Sequence, residues 1–137
     1  MRVLHVAAYY APAYVYGGPP RSVHALCRAL GCEGVDVQVF TTDANGAEAL
    51  PTQVTGHTAF EDVPVRYFPR SFPLSPIGSR LLGAALRREV GGYDIVHVHG
   101  LWNRVVWAAA REASRAGVPY VLSPRGMLEP AARAHHA

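Results

Sequence analysis

The sequence predicts an α/β fold with a doubly wound parallel sheet, and three observations support this. Strand-like and helix-like segments alternate along most of the 137 residues. The strand-like segments are apolar throughout, as expected for strands that helices cover on both faces. The segments are also far apart in sequence, and parallel neighbours need long crossover connections rather than tight turns. A chain of this length fits one compact domain, which we place over residues 1–137.

The first part of the chain predicts two strands with a helix between them. Val3–Ala8 is a short apolar run followed by a stretch rich in proline and glycine, which is typical of a buried strand. Beyond that stretch the apolar residues recur at helical spacing, at Val23, Leu26, Cys27 and Leu30. Val35–Thr41 is rich in β-branched residues and predicts the second strand.

The middle of the chain predicts a loop, a strand and a helix. Residues 42–61 are polar and contain the turn signal Asn45-Gly46, so we interpret them as a loop. Val63–Phe68 predicts the third strand, and a proline-rich connection follows over residues 69–76. The next helix has its apolar positions at Leu81, Leu82, Ala85 and Leu86.

The last part predicts two more strands around one helix. Asp94–His99 is the fourth strand and Val118–Ser123 the fifth. The helix between them runs over residues 101–116. Its inward positions are Trp102, Val105, Val106, Ala109 and Ala113. The alanine-rich end predicts the start of another helix. Five strands with crossover helices define a Rossmann-like sheet.

Composition restricts the partners and the location. All 13 basic residues are arginine, they are scattered, and the formal net charge is +3. Because no basic run is present, we expect no nucleic-acid partner. The excess of arginine suits an anionic small ligand, an acidic membrane surface, or solubility alone. No stretch has the length of a membrane span or of a secretory signal, so we expect a cytoplasmic protein; peripheral contact with the inner face of the membrane stays open.

Candidate ligand contacts follow the strands, because ligands of parallel sheets bind at the carboxyl ends of the strands. Gly17 and Gly18 stand just before the first helix, where glycine lets a phosphate approach the backbone. The motif is weak, and a flexible connecting loop explains it equally well. Arg125 follows the fifth strand, where it pairs with a phosphate or carboxylate or is simply solvated.

The fourth strand ends in a pair of histidines, His97 and His99. Residues two apart on a strand share a face, so His99 should face the ligand crevice while His97 lies one pleat deeper in the core. A zinc ion would need a third ligand, and no Asp, Glu or Cys stands at a matching strand end, so we expect no metal. Three interpretations of Asn103 stay open: it caps the next helix, it contacts a substrate hydroxyl, or it merely lies in the first turn of that helix. Trp102, the residue before it, is expected to pack in the core.

Three segments together resemble glycosyltransferase family 4, the "group 1" enzymes of the GT-B fold. They are Tyr9-Tyr10-Ala11-Pro12 continuing through Gly17-Gly18-Pro19-Pro20-Arg21-Ser22, Asp94 to Trp102, and Pro119 to Pro130. Each lies at the end of a predicted parallel strand. The resemblance implies the N-terminal, acceptor-side half of a GT-B enzyme.

The resemblance also implies an activity and roles for the candidate residues. Such enzymes transfer a sugar, with retention, from a nucleotide-diphosphate donor to a hydroxyl acceptor in polysaccharide or glycoconjugate synthesis. By that similarity Gly17 and Gly18 approach the donor diphosphate, and His99 is the catalytic residue beside the reacting sugar. Arg125 adds a charged contact in the cleft, and Asn103 and Trp102 contact the substrate. No cofactor or metal is implied.

The second domain of that family, with its acidic E-x7-E donor motif, is absent from the sequence. We therefore expect the isolated chain to be inactive unless a C-terminal domain or a partner chain completes it. Two alternatives stay open: a non-catalytic remnant or binding module of the same fold, and half of a nucleotide-sugar epimerase. An uncovered cleft face also predicts weak self-association.

Overall fold

The computed structural model describes residues 1–71 and 76–130. The strands are β1 (Arg2–Ala7), β2 (Asp36–Thr42), β3 (Ala44–Asn45), β4 (Glu48–Ala49), β5 (Ala59–Phe60), β6 (Val63–Phe68), β7 (Ile95–His99) and β8 (Tyr120–Ser123). The α-helices are α1 (Gly18–Cys32), α2 (Thr52–Thr55), α3 (Arg80–Glu89) and α4 (Arg104–Ala116). Two short 3-10 helices cover Tyr14–Tyr16 and Val90–Gly92.

The main sheet confirms the predicted doubly wound parallel architecture. Its six strands lie in the order β5-β6-β2-β1-β7-β8, and the five longer ones are all parallel. These five are the strands that the sequence predicts. Only β5 runs antiparallel, against β6 at the edge far from β8. The carboxyl ends of β1, β7 and β8 therefore meet at one edge of the sheet.

Two hydrophobic cores hold the helices on opposite faces of this sheet. Leu4 and Val6 of β1 belong to the core beneath α3 and α4, which includes the fully buried Leu82. The core beneath α1 contains Val23 and Cys27. Burying each such aliphatic side chain contributes roughly 1.5–3 kcal/mol, so this packing dominates the stability of the fold.

The segment 42–61 differs from the predicted loop. It contains the small β3–β4 hairpin, the one-turn helix α2 and the edge strand β5. The guanidinium of Arg70 donates to the carbonyls of Gly46 and Glu48, at 3.0 and 2.7 Å, and so supports the hairpin. The polar sequence of this segment did not indicate the hairpin, because the hydrogen bonds that support it come from a residue more than 20 positions away.

Helix α4 begins three residues later than predicted. The Oδ1 atom of Asn103 accepts a hydrogen bond from the amide of Val106 at 2.9 Å, so Asn103 is the N-cap and Arg104 the first helical residue. Trp102 therefore precedes the helix and is half-buried rather than enclosed in the core. The predicted alanine-rich helix, beyond Pro130, and residues 72–75 of the proline-rich connection lie outside the described residues.

Exposed apolar side chains lie on the outer strand of the sheet. Tyr120, Val121 and Leu122 of β8 are 45%, 51% and 39% exposed. An edge strand with unpaired backbone groups and apolar side chains is a template for pairing with another strand. This edge is a second possible surface for self-association, distinct from the cleft face on which the prediction from the sequence rests.

We expect the chain to associate at high concentration and Val121→Lys to abolish that association, because a charge on an edge strand opposes pairing. Sedimentation velocity over a concentration series measures this. Val15→Lys is the matched control, since Val15 is 67% exposed but lies outside the sheet. Strictly monomeric behaviour, or equal effects of both substitutions, would contradict the prediction.

Candidate functional site

The candidate site is a small cavity at the carboxyl edge of β1, β7 and β8. It retains a free volume of about 10 Å³, so side chains nearly fill it. Its walls come from the end of β1, the first turns of α1, the end of β7 and the segment after β8. The lining residues are Ala7, Ala8, Tyr9, Pro19, Val23, His99, Gly100, Asn103, Arg125 and Met127. His99, Arg125 and the residue that follows Gly17-Gly18 thus meet at one rim.

His99 is held at the centre of this cavity by two polar neighbours. The Nε and Nη2 atoms of Arg125 lie 3.2 and 3.0 Å from its Nδ1. On the other side, its Nε2 lies 3.0 Å from Nδ1 of His5. His5 and His99 are both buried, at 0% and 4% exposure. Burial is the largest cause that lowers the pKa of His99 to about 2; the positive charges that His97 and His5 would carry if protonated, and the charge of Arg125, add to it.

These contacts determine which nitrogens carry protons. A guanidinium can only donate, so Nδ1 of His99 accepts from Arg125. The neutral ring then carries its proton on Nε2 and donates it to Nδ1 of His5. His5 is neutral too, because burial and the nearby charges of His97 and Arg125 lower its pKa to about 4. Its own proton lies on Nε2, which has no partner among the described residues.

We expect both His99 and His5 to show the Nε2–H tautomer in long-range proton–nitrogen correlation spectra near neutral pH. Arg125→Leu should produce a mixture of tautomers in both rings, because it removes the donor that defines the direction of the chain of hydrogen bonds. Arg28→Leu is the control, since Arg28 lies on α1 outside the cavity. A His99 ring protonated on Nδ1 in the unmodified chain would contradict this assignment.

His97 lies beside this pair rather than in the cavity. It is half-buried, its Nε2 lies 2.7 Å from Oγ of Ser123, and its ring stacks on His99 with centroids 4.0 Å apart. His97 thus has the predicted hydrogen bond, but the prediction that it lies deeper in the core than His99 is wrong, because His97 is half-buried and His99 is only 4% exposed. Burial and the nearby Arg125 charge lower its pKa as well.

Sequence reasoning missed His5, although the register of β1 against β7 would have revealed it. His5 pairs directly with His97, so His5, His97 and His99 share one face and offer nitrogens within 4.8 Å of one another. The cluster has the residue types of a metal site. However, both nitrogens of His99 already take part in hydrogen bonds. A metal would have to displace Arg125 or His5 from that ring.

Gly17 and Gly18 lie at the start of α1, and the fold requires glycine at only one of these two positions. Gly17 is the N-cap with φ +85°, a conformation that favours glycine. Gly18 is helical, and a Cβ atom there would meet nothing within 4 Å. The fold therefore does not require glycine at position 18. Pro19 and Pro20 lack an N–H, which leaves this helix start with few donors for an anion.

The segment after β8 closes over the cavity. Arg125 adopts φ +55°, which is uncommon for a residue with a side chain. Sδ of Met127 accepts a hydrogen bond from the amide of Leu101 at 3.0 Å. The backbone carbonyl of Met127 accepts a second one from Nε1 of Trp102 at 2.9 Å. Since Asn103 uses its Oδ1 to cap α4, Trp102 and Asn103 have structural partners here. Their contact with a substrate stays a prediction.

A pair of aromatic rings borders the same cavity. Tyr9 stacks on Tyr16 with centroids 4.0 Å apart and an interplanar angle of 9°. Both side chains are half-buried, and Tyr9 also lines the cavity with His99. The hydroxyl of Tyr16 accepts a hydrogen bond from the amide of Gly46 at 3.0 Å, so the β3–β4 hairpin orients this ring.

Together, the parallel sheet and this histidine–arginine rim define a Rossmann-like domain with a candidate ligand site at the carboxyl edge of its strands. The chain matches the family described as the glycosyl transferase 4-like domain over residues 17–137. The protein belongs to this family. No curated protein matches the chain. Among the described residues, no helix has both the length and the apolar character needed to cross a bilayer.

Proposed function

We propose that this chain is the acceptor-side domain of a retaining GT-B glycosyltransferase. In this proposal it acts with a nucleotide-binding domain to move a sugar from a nucleotide-diphosphate donor to a hydroxyl acceptor. One observation carries the proposal. In a glycosyl transferase 4-like domain, the Arg125 guanidinium lies on Nδ1 of a buried, neutral His99 beside the start of α1.

His99 positions the donor sugar by accepting a hydrogen bond. Because its ring is neutral and its Nε2–H is directed at His5, His99 can accept a hydrogen bond from a ligand only at Nδ1, the atom that Arg125 occupies without ligand. A hydroxyl of the donor sugar replaces Arg125 as the group that donates to this atom. A histidine with so low a pKa orients the reacting sugar and does not act as an acid.

Arg125, once released from His99, pairs with the donor diphosphate. Guanidinium and phosphate form paired, charge-assisted hydrogen bonds, which stabilise the negative charge that develops on the diphosphate as it leaves the sugar. Gly18 lets the diphosphate approach the start of α1, where the helix dipole adds partial positive charge. Since Pro19 and Pro20 cannot donate, Arg125 supplies most of the compensating charge. This mechanism assigns no role to a metal or other cofactor.

The acceptor lies against the stacked rings of Tyr9 and Tyr16. An aromatic face binds the apolar face of a sugar ring, and Tyr9 reaches from this stack into the cavity with His99. A sugar hydroxyl bound there points toward the reaction centre. The proposed acceptor is therefore a glycosylated molecule rather than a simple alcohol.

Titration of the ¹⁵N-labelled chain with a panel of nucleotide-diphosphate sugars tests this proposal. We expect one member to shift the amides of Gly18, Gly100 and Arg125. Arg125→Gln should weaken that binding by roughly 10-fold or more, because a hydrogen bond to a charged group contributes about 1.5–3 kcal/mol. Arg28→Gln is the control with the same loss of charge.

Two outcomes would overturn the proposal. One is a panel that shifts no amide at this rim, or that shifts it equally in Arg125→Gln. The other is conversion of a nucleotide sugar into its epimer without any acceptor, which product analysis of the same samples would detect.

A further inference from the structure

A second surface of the domain has a composition that the site above does not explain. It is a groove of about 610 Å³ on the outer side of α3 and α4. Four arginines and one tryptophan line it, namely Arg80, Arg87, Arg104, Arg111 and Trp107. We refer to these five residues and the groove between them as the arginine groove.

Helical spacing places these side chains in two facing rows. Arg104, Trp107 and Arg111 stand at positions i, i+3 and i+7 of α4, and so share one face of that helix. Arg80 and Arg87 have the same spacing on α3, with Gly83 between them. Both helices begin at the carboxyl edge of the sheet, so the rows run in the same direction. A Cβ atom at Gly83 would meet nothing within 4 Å, so the groove is open at this position.

The positive charge of this groove is largely uncompensated. Within residues 1–71 and 76–130, only Arg111 of the four has a carboxylate within ion-pair distance, Glu112 at 3.4 Å. On the other face of the sheet the carboxylates have partners: Asp36 pairs with Arg2 at 3.2 Å, and Glu61 lies 2.9 Å from His24 and 3.9 Å from Arg28. In the arginine groove, by contrast, three of the four guanidiniums have no carboxylate partner among the described residues.

Large apolar side chains protrude from the same helices. Trp107 is 57% exposed and Leu81 59%, although both lie within regular helix. An exposed tryptophan among arginines is typical of proteins that lie in the interface of a bilayer, where the indole sits at headgroup level. Acidic headgroups also complement the charge, since each guanidinium binds phosphate through paired hydrogen bonds.

We propose that the arginine groove is a docking surface for an anionic lipid bilayer. Acidic phospholipid headgroups occupy the groove between α3 and α4, and Trp107 enters the interface beside them. Because the unpaired guanidiniums and Trp107 lie on the same side of the domain, binding through them also determines which side faces the bilayer. This proposal is independent of the proposed enzymatic function.

The test measures binding of the chain to vesicles by co-sedimentation in physiological salt. Phosphatidylcholine vesicles containing one third phosphatidylglycerol should bind the chain, and pure phosphatidylcholine vesicles should not. Arg87→Gln/Arg104→Gln should weaken binding by roughly 30-fold, since each arginine near an anionic surface strengthens binding about five-fold. Arg28→Gln/Arg88→Gln is the matched control, because it removes two exposed arginines that do not line the groove.

Tryptophan emission provides a second reading on the same samples. We expect a blue shift on anionic vesicles, and we expect Trp107→Phe to remove most of it although Trp102 remains. Circular dichroism confirms that each variant is folded. The proposal is overturned if anionic vesicles do not bind the chain, if the control pair weakens binding as much as the groove pair, or if an oligonucleotide or polyglutamate binds the groove and anionic vesicles do not.

Discussion

Acidification from about pH 7.5 to about pH 5 is expected to lower the free energy of unfolding by about 4 kcal/mol. Most of the effect comes from His5 and His99, which are buried and neutral, and His97, whose pKa is also lowered, acts in the same direction. Their pKa values are lowered to about 4 and about 2, mainly by burial. In the unfolded chain both rings titrate near pH 6.5.

The sign follows from where the protons bind. Below about pH 6.5 the unfolded chain takes up a proton on each ring while the folded chain does not, so acid favours unfolding. Each ring lowers the free energy of unfolding by about 1.4 kcal/mol for each pH unit in this window. The loss continues down to the folded pKa values, and above pH 6.5 the contribution of both rings is complete.

Urea unfolding at a series of pH values measures this slope. His5→Phe should remove about half of it, whereas His57→Phe, at an exposed histidine of similar size, should leave it unchanged. A stability that is constant between about pH 7.5 and about pH 5 would show that the histidines are not held neutral in the folded chain.

Leu82→Ala is expected to lower the free energy of unfolding by roughly 2–5 kcal/mol. Leu82 is fully buried in the core beneath α3 and α4. The substitution removes apolar contacts and leaves a cavity between two helices and the sheet, which can collapse only in part.

The neighbouring residue offers a matched control. Leu81→Ala makes the same chemical change in the same helix, but Leu81 is 59% exposed, so its cost should be below about 0.5 kcal/mol. Thermal or urea unfolding of both variants measures the difference. If both substitutions lowered the free energy of unfolding equally, α3 would have to be rotated about its axis relative to the structure described.

Much of the fold could be predicted because it is encoded locally. Apolar runs such as Val63–Phe68 identify the strands, and the spacing of Leu82, Ala85 and Leu86 identifies one helix face. The start of α4 could not be located in this way, since a polar residue is compatible with several positions near a helix start. The Asn103 hydrogen bond to Val106 decides between them.

The site was predictable only in outline. Strand ends indicate that Gly18, His99 and Arg125 approach one edge, because parallel strands place their carboxyl ends together. The hydrogen-bond partner of His99, by contrast, could not be predicted from the sequence. His5 lies within an apolar run, and nothing in that run reveals polar chemistry until the register of β1 against β7 is known. Strand register depends on contacts between distant segments, which a pattern read along the chain does not contain.

The most direct test is a crystal structure of the chain with the nucleotide-diphosphate sugar that binds best in the panel. We predict a sugar hydroxyl within hydrogen-bond distance of Nδ1 of His99, and the Arg125 guanidinium moved from that atom to the diphosphate. A ligand bound between α3 and α4 or beside Cys27, with Arg125 still on His99, would contradict the account.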